Sequence, residues 1–379
     1  MRTEPIRVAV VMGNFTSGGI KSVILNYYKH IDKEKFQFDL LIYEDSFDSN
    51  YSEFEKLGAR IFKVSSIKNP IKHIYDCYKI FKEQKFKIVH GYLNTLNVFP
   101  MLAAQLAGVP VRIAENLSTG HDGENKTKVK NVLKKFALLS PTHIAANSVY
   151  AAEWLYGKDN LDKCAVFRNA LDLDKYKFDK KLRNETRQKL GLEDNFVIGH
   201  IGRFEYQKNH DFLIDIFDEV YKKNNKARLL LVGYGSLKEK IFEKIERLGL
   251  SEVVIDLGKT EDIIPLYNAM DCFVMPSYYE GLPVVGIEAQ ANSLPCIFST
   301  EITEEVAVTK NVGFVSLDNE VDEWAIATLN LQNMGRLDIS CYLISNGYDV
   351  FCEAEKLEKY YVLCLEESND KSNYFNGNI

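Results

Sequence analysis

The residues best placed for chemistry are two glutamates, Glu280 and Glu288, separated by seven residues. The apolar run 272–275 predicts a buried strand before Glu280, and Gly281, Leu282 and Pro283 predict the turn that opens the next helix. Open α/β sheets bind ligands at the carboxyl ends of their strands, and the free N–H groups of a helix start favour an anion. Sugar and ribose hydroxyls donate hydrogen bonds to carboxylates, so this segment is typical of a nucleotide-sugar pocket.

Two cations follow another predicted strand, at 196–202. Gly202 and Arg203 close that strand, and Lys208 comes five residues after the arginine. Arginine offers a planar fork to phosphate oxygens and lysine a compact point charge, so the pair suits the charge that develops on a departing nucleoside diphosphate.

A glycine-containing loop follows the first predicted strand, at 6–12. Gly18 and Gly19 stand at its end, just before a predicted helix. Glycine lets a backbone approach a ligand closely, and the helix start adds N–H donors for phosphate. The spacing is not G-x-G-x-x-G, so a dinucleotide site is not supported. An ordinary strand–helix turn is the alternative.

The segment 275–289 reads Met-Pro-Ser-Tyr-Tyr-Glu-Gly-Leu-Pro-Val-Val-Gly-Ile-Glu-Ala and resembles the signature of the retaining glycosyltransferases of family 4. The Gly-Arg-x-x-x-x-Lys pattern at 202–208 is similar to the diphosphate clamp of the same family. The resemblance implies the GT-B fold, an α/β architecture of two doubly wound, Rossmann-like parallel-sheet domains that face each other across a cleft.

The resemblance also implies roles for the individual residues. Arg203 and Lys208 would hold the leaving diphosphate, Glu280 would contact the transferred sugar, and Glu288 would bind the ribose. Donor binding is further implied for the glycine and turn positions: Gly18, Gly19, Gly202, Gly281, Leu282 and Pro283. The implied mechanism is a front-face displacement with retention, in which the leaving phosphate helps to take the acceptor's proton, with no metal and no cofactor beyond the nucleotide-sugar co-substrate.

Two segments of the sequence differ from a known pattern: one from a metal-binding motif, the other from a histidine pair of the family. Asp172 and Asp174 superficially resemble an Asp-x-Asp metal motif, but they follow a segment that aligns with the family's interdomain hinge, so no metal site is predicted. Relatives with exopolysaccharide or capsule functions usually carry a His-x-His pair, where this chain has Glu115 and Leu117. Glu115, or His121 further along, is the candidate substitute on the acceptor side.

Alternating short apolar runs and longer helical patterns predict two parallel α/β domains. The predicted domains are residues 1–170, which would bind the acceptor, and residues 191–347, which would bind the nucleotide sugar. A linker that includes a short helix is predicted at 171–190, and a C-terminal helix at about 348–367 would pack back on the first domain. Residues 368–379 are predicted to be a flexible tail. The predicted strands lie near 6–12, 37–43, 60–64, 87–91, 110–114, 143–147, 164–168, 196–202, 228–233, 252–257, 272–276, 295–299 and 312–316.

Composition narrows the class of protein. The 379 residues carry a net charge of −6, which disfavours nucleic acid as a partner. Residues 1–170 nevertheless carry 24 Lys and Arg against 17 Asp and Glu, so the first half is basic. Seven cysteines without C-x-x-C pairing favour reduced thiols and a cytoplasmic protein. No signal peptide and no run of about 18 apolar residues is found, so no membrane span is expected.

The basic segment 126–136 is a candidate amphipathic helix. It is either a solvated face or a contact with an anionic membrane next to a lipid-linked acceptor.

The sequence as a whole, with the family resemblance, predicts an enzyme that moves a sugar from a nucleotide-sugar donor to a glycan hydroxyl in bacterial surface polysaccharide biosynthesis. The donor is expected to be a UDP-sugar. The acceptor, implied by the resemblance, is a glycan linked to polyprenyl diphosphate. The alternatives are a non-catalytic GT-B scaffold or partner subunit and, ranked lower, a UDP-sugar 2-epimerase.

Overall fold

A computed structural model describes residues 4–14, 19–46, 51–118, 127–260, 262–332, 334–336 and 339–376. The chain forms two compact units. Unit 1 comprises Met1–Asp172 and Gly347–Ile379, and unit 2 comprises Leu173–Asn346. The candidate hinge aspartates, Asp172 and Asp174, therefore fall on either side of the first crossing between the units.

Unit 1 is built on a seven-stranded parallel sheet. Its strand order is β3-β2-β1-β4-β5-β6-β7, the order of a doubly wound sheet. Its strands and helices are β1 Ile6–Gly13, α1 Gly19–His30, β2 Phe36–Tyr43, α2 Ser52–Lys56, β3 Arg60–Val64, α3 Pro70–Gln84, β4 Ile88–Gly91, α4 Val98–Leu106, β5 Val111–Asn116, α5 Thr127–Lys134, β6 His143–Ala146, α6 Val149–Tyr156 and β7 Cys164–Val166.

Apolar strands form the centre of this unit because both faces of a parallel sheet are covered. Residues Val8 to Val11 of β1 are completely buried, and one core cluster joins β1 to Phe81 of α3 and Met101 of α4. The helix α3 begins where Asn69 accepts a hydrogen bond from the Lys72 amide and Pro70 occupies the first turn, as expected of a helix start.

Unit 2 contains a six-stranded parallel sheet with the order β10-β9-β8-β11-β12-β13. Its elements are α7 Leu173–Tyr176, α8 Lys180–Leu190, β8 Phe196–Ile201, α9 His210–Lys223, β9 Ala227–Val232, α10 Lys238–Arg247, β10 Val254–Asp256, α11 Ile264–Ala269, β11 Cys272–Met275, α12 Val284–Ala291, β12 Cys296–Ser299, β13 Val312–Val315, α13 Val321–Asn330 and α14 Ser340–Ser345. The last helix of the chain, α15 Val350–Asn376, belongs to unit 1.

The predicted fold class is confirmed: each unit is a doubly wound parallel sheet covered by helices. The predicted strands are also confirmed, with ends that differ by two residues at most. Hydrophobic runs bounded by turn residues located them, because strands buried on both faces are apolar throughout.

The stretch 171–190, predicted as a linker with one short helix, carries two helices, α7 and α8. Asp179 caps α8 by accepting hydrogen bonds from the amides of Lys181 and Leu182. From this helix Arg183 and Arg187 reach Asp271, which also accepts a hydrogen bond from the Val197 amide. Through Asp271 these two arginines fasten α8 to unit 2.

The end of the chain also differs from expectation. Helix α15 runs to Asn376, so residues 368–376, predicted as part of a flexible tail, are helical. No glycine or proline interrupts the chain between Val350 and Asn376, and Gly377 follows the last helical residue. In the described part of the chain, no helix has the length and apolar character needed to cross a bilayer.

Candidate functional site

Two loops at the same end of the unit 2 sheet carry most of the predicted site. Strand β8 ends at Ile201 and is followed by a loop with a short 3₁₀-helix, Tyr206–Lys208. Strand β11 ends at Met275, and its loop leads into α12. The two strands are parallel neighbours, with Cys272 opposite Ile198, so both loops leave from the carboxyl edge where doubly wound sheets bind ligands.

The two loops are fastened to each other. The Tyr278 amide donates to the carbonyl oxygen of Gln207 over 2.9 Å, and the Gln207 side chain donates to the carbonyl oxygen of Tyr279 over 3.0 Å. The rings of Tyr206 and Tyr278 stack with centroids 4.6 Å apart. These contacts hold the two sets of predicted site residues in a fixed relation.

Lys208 and Glu280 meet directly across the two loops. The lysine Nζ lies 2.6 Å from Glu280 Oε1, and Gln207 Nε2 donates to Oε2 over 3.0 Å. Glu280 is 7 % exposed. Oε1 has no well-aligned hydrogen-bond donor among the described residues, so its contact with Lys208 is an ion pair only. A buried carboxylate oxygen without a donor is ready to accept a hydroxyl from a ligand.

Gly202 and Arg203 occupy the start of the first loop. A Cβ at Gly202 would lie 3.2 Å from Lys208 Cδ, so the absence of a side chain gives room for the lysine stem. The Arg203 side chain is exposed and forms no hydrogen bond or ion pair with any residue that the structure describes. Its guanidinium is therefore available to an anion.

The turn after β9 supports this loop through close backbone contact. The Gly202 amide donates to the carbonyl oxygen of Val232, and the Phe204 amide donates to that of Tyr234, each over 2.9 Å. A Cβ at Gly233 would lie 1.9 Å from the carbonyl oxygen of Gly202. Glycine stands at this position because the two backbones approach too closely for any side chain.

Glu288 lies on α12 in a different environment from Glu280. It is 4 % exposed, Oε1 accepts the hydroxyl of Tyr176 over 2.9 Å, and Oε2 accepts the hydroxyl of Tyr267 over 2.8 Å. Burial raises the pKa of Glu288 above its ordinary value, and the two hydroxyl bonds counter part of that rise. Each carboxylate oxygen has a second lone pair, so the group retains capacity to accept ribose hydroxyls.

The turn residues Gly281, Leu282 and Pro283 are buried and lead directly into α12. Pro283 is the N-terminal cap residue, and no side chain caps this helix. The uncapped start leaves backbone donors at the same edge of the sheet as Lys208, which suits an anion.

Two buried histidines, His200 on β8 and His210 at the start of α9, lie at the two ends of the loop that carries Lys208. His200 donates from Nδ1 to the carbonyl oxygen of Val274 over 2.8 Å, and its ring lies 4.7 Å from that of His210. His210 stacks on Phe204 and has no hydrogen-bond partner for either ring nitrogen among the described residues. Burial lowers the pKa of His200 to about 4 and that of His210 to about 2, with smaller effects from Lys208. Both imidazoles are therefore neutral at physiological pH.

The structure thus brings Gly202, Lys208 and Glu280 together and leaves Arg203 exposed on the same loop. It places Glu288 one helix turn beyond the Gly-Leu-Pro segment, bonded to tyrosines and not to the lysine. Gly18 lies outside the described residues, and Gly19 is the first residue of α1.

The acceptor-side candidates differ from each other. Glu115 is buried, with Oε2 2.8 Å from Nε2 of His90, whose Nδ1 accepts the hydroxyl of Tyr361 over 2.9 Å. This pair joins β4 and β5 to α15, so the carboxylate already has a protein partner. His121 lies outside the described residues.

Sequence reasoning missed three kinds of residue. Gln207 holds Glu280, the stacked Tyr206 and Tyr278 fasten the loops, and Tyr176 and Tyr267 bind Glu288. Gln207, Tyr206 and Tyr278 each lie within two positions of Lys208 or Glu280, which was an available signal. Tyr176 and Tyr267 gave none, because they are distant in sequence from Glu288.

Comparisons with known proteins identify the family of this chain. The family described as "Glycosyl transferases group 1" matches residues 183–337, which include all of the unit 2 site residues. The putative glycosyltransferase EpsF of Bacillus subtilis is 32% identical, over 98% of this chain and 100% of its own. The UDP-Gal:alpha-D-GlcNAc-diphosphoundecaprenol alpha-1,3-galactosyltransferase of Escherichia coli is 26% identical, over 94% of this chain and 97% of its own.

Solved structures share the fold. Anabaena HepE in complex with UDP and glucose superposes with a TM-score of 0.77 at 18% identity, over 94% of this chain and 99% of its own. The glycosyltransferase WaaG, involved in lipopolysaccharide biosynthesis, gives a TM-score of 0.69 at 14% identity, over 93% of this chain and 99% of its own. With two doubly wound units, the paired lysine and glutamate, and a relative that matches nearly its whole length, this chain belongs to the group 1 glycosyltransferases of the GT-B type.

Proposed function

We propose that this protein is a retaining glycosyltransferase that moves a sugar from a UDP-sugar to a glycan hydroxyl in bacterial surface polysaccharide biosynthesis. The observation that carries the proposal is the contact between Lys208 and Glu280, with Arg203 on the same loop and unbonded to any residue that the structure describes. Cations and a carboxylate at one strand edge match the two ends of a sugar nucleotide, the charged diphosphate and the hydroxyl-bearing sugar.

In this proposal Arg203 and Lys208 hold the diphosphate as charge develops on it, and the uncapped start of α12 adds backbone donors. Such preorganised charges act most strongly where water is excluded. They supply the electrostatic stabilisation of the leaving group, so the reaction is proposed to be metal-independent. Glu280 accepts hydroxyls of the transferred sugar, and Glu288 accepts ribose hydroxyls.

The remaining proposed contacts and steps follow the family resemblance. Gly18 and Gly19 approach the donor phosphates, while Gly202, Gly281, Leu282 and Pro283 shape the loops around it. The leaving phosphate takes the acceptor's proton as the acceptor oxygen attacks the anomeric carbon from the same face. The new bond therefore has the configuration of the old one.

The relatives support the donor and the acceptor. The name of the Escherichia coli relative specifies a UDP-galactose donor and a diphosphoundecaprenol-linked acceptor. Anabaena HepE has been solved with UDP-glucose, and a Staphylococcus aureus relative is named for capsular polysaccharide biosynthesis. We extend to this chain a UDP-sugar donor and a glycan acceptor linked to polyprenyl diphosphate.

Slow hydrolysis of the donor tests the proposal. The protein is incubated separately with UDP-glucose, UDP-galactose and UDP-N-acetylglucosamine, and the products are separated by chromatography. Transferases let water compete as acceptor when none is supplied, so UDP should appear with at least one donor. An isomerised sugar nucleotide would instead identify an epimerase, and binding without any product would identify a scaffold.

The proposed acceptor places the enzyme at the cytoplasmic face of a membrane, and a surface of unit 1 suits that location. On and after α5, Val129, Val132, Phe136, Leu138 and Leu139 are all exposed; Val129 is 60% and Leu139 71% exposed. Lys128 precedes these residues and Lys135 lies among them in sequence; both lysines are exposed and form no ion pair with any described residue. An apolar surface bordered by lysines fits an anionic bilayer.

Flotation with anionic liposomes tests this contact. Each lysine near an anionic surface contributes about 1 kcal/mol, so Lys128→Gln with Lys135→Gln should lower the partition coefficient roughly thirtyfold. The matched control is Lys240→Gln with Lys310→Gln, which removes two exposed lysines of unit 2. Equal flotation of both double variants would refute a contact through α5.

A further inference from the structure

The ion pair between Lys208 and Glu280 affects which ligand the site binds more tightly. Lys208 is the cation proposed to hold the diphosphate, yet in this structure it faces Glu280 at 2.6 Å. Its side chain is 14% exposed and that of Glu280 is 9% exposed, so little water screens the pair. The lysine's charge is therefore already neutralised by the protein itself.

Gln207 fixes the other half of the same carboxylate. Its Nε2 donates to Oε2 of Glu280 and to the carbonyl oxygen of Tyr279, each over 3.0 Å. The carboxylate therefore stays in place when a ligand binds, and the flexible lysine is the partner that moves. Once the lysine moves away, Oε1 is left buried without a cation and without a donor.

We infer that Glu280 competes with the nucleoside diphosphate for Lys208, so that the site favours the intact sugar nucleotide over the free nucleoside diphosphate. The inference rests on the proposed function. A sugar nucleotide brings hydroxyls that donate to Oε1 as its phosphates take the lysine. Free UDP binds the lysine through its phosphates but carries no transferable sugar beyond the diphosphate. The buried carboxylate therefore loses its cation without gaining a hydroxyl donor.

This competition also acts on the product. After transfer, the sugar leaves the vicinity of Glu280, and the carboxylate again attracts Lys208. The diphosphate then loses part of its counter-charge, which favours release of UDP. The Glu280 carboxylate thus favours binding of the sugar nucleotide before transfer and weakens binding of UDP after it.

Calorimetric titration with UDP tests the inference. Glu280→Gln keeps the shape of the side chain and removes its charge, so the variant should bind UDP about tenfold more tightly than the wild type. Glu205→Gln is the matched control, because Glu205 lies on the same loop and bonds to Ser236 rather than to the lysine. The control should bind UDP as the wild type does.

A double-mutant cycle assigns the effect to the pair. Lys208→Met should bind UDP more weakly than the wild type, and adding Glu280→Gln to that variant should give no further gain. Thermal unfolding curves of each variant establish that the titrated protein is folded. In Glu280→Gln the buried lysine has lost its ionic partner, which can reduce stability. The comparison of Lys208→Met with the Lys208→Met, Glu280→Gln double variant has no such unpaired lysine, so it remains informative in that case.

Three results would overturn the inference, and the third is distinguishable from the first two because it also overturns the proposed function. If the wild type binds UDP and folded Glu280→Gln binds it no more tightly, the competition is wrong while the proposed function stands. The competition is equally wrong if Glu280→Gln tightens binding to the same extent in the Lys208→Met background. If neither UDP nor any UDP-sugar binds the wild type, the proposed function fails and the inference fails with it.

Discussion

Replacing Arg203 by alanine should lower the rate of sugar transfer by about 10²–10³-fold while leaving the unfolding temperature unchanged. The guanidinium is exposed and bonds to no described residue, so its loss removes no contact that holds the fold. In the proposed reaction it bonds to the diphosphate as charge develops there, and removing such a donor costs about 2.7–4 kcal/mol of transition-state stabilisation. The measurement is UDP release under saturating donor, with thermal unfolding in parallel.

The control for this variant is Arg247→Ala. Arg247 is an exposed arginine at the end of α10 in the same unit, and it too forms no side-chain bond with the described residues. Transfer by the control should equal that of the wild type. Near-normal transfer by Arg203→Ala would remove the arginine from the proposed diphosphate clamp.

Replacing His210 by phenylalanine should make the protein markedly more resistant to acid. The pKa of His210 is lowered by burial to about 2, whereas an unfolded chain binds this proton near its ordinary value of 6.5. A depressed pKa means that stability is intact above pH 6.5 and is lost as the pH falls toward 2. At pH 4.5 this single histidine costs roughly 2.5 kcal/mol, which the phenylalanine variant regains.

Phenylalanine suits the position because His210 already stacks on Phe204 at 4.1 Å and uses neither ring nitrogen for a hydrogen bond among the described residues. The measurement is the free energy of unfolding at pH 7.5 and pH 4.5. The matched control, His30→Phe, replaces a partly exposed imidazole of unit 1 and tests whether the gain is specific to the buried position of His210. Parallel losses of stability in wild type and His210→Phe would contradict the prediction.

The amino-acid sequence located the strands and the fold class. Val8 to Val11 and Cys272 to Met275 are apolar without interruption, and both runs are buried strands, since a parallel sheet covered on both faces excludes water along its whole length. The turn Gly281-Leu282-Pro283 likewise predicted the start of α12, because glycine and proline mark turns, and Pro283 is the cap residue just before the helix.

The charge content of 171–190 did not show how this stretch is held to the rest of unit 2. Arg183 and Arg187 look like surface residues in a linker, but Asp271, about 85 positions further on, accepts from both. A polar segment is ordered when its charges find partners in the folded state, and those partners are not visible in the local sequence.

For the site, the residue types and spacing alone selected the candidate side chains: two cations after β8 and two glutamates around the start of α12. Only the tertiary structure decided how they pair. Lys208 meets Glu280 across 72 positions of sequence, whereas Glu288, eight positions from Glu280, bonds instead to Tyr176 and Tyr267. The physical reason is that local periodicity fixes the element on which a residue stands, while the order of strands in the sheet fixes which distant loops become neighbours.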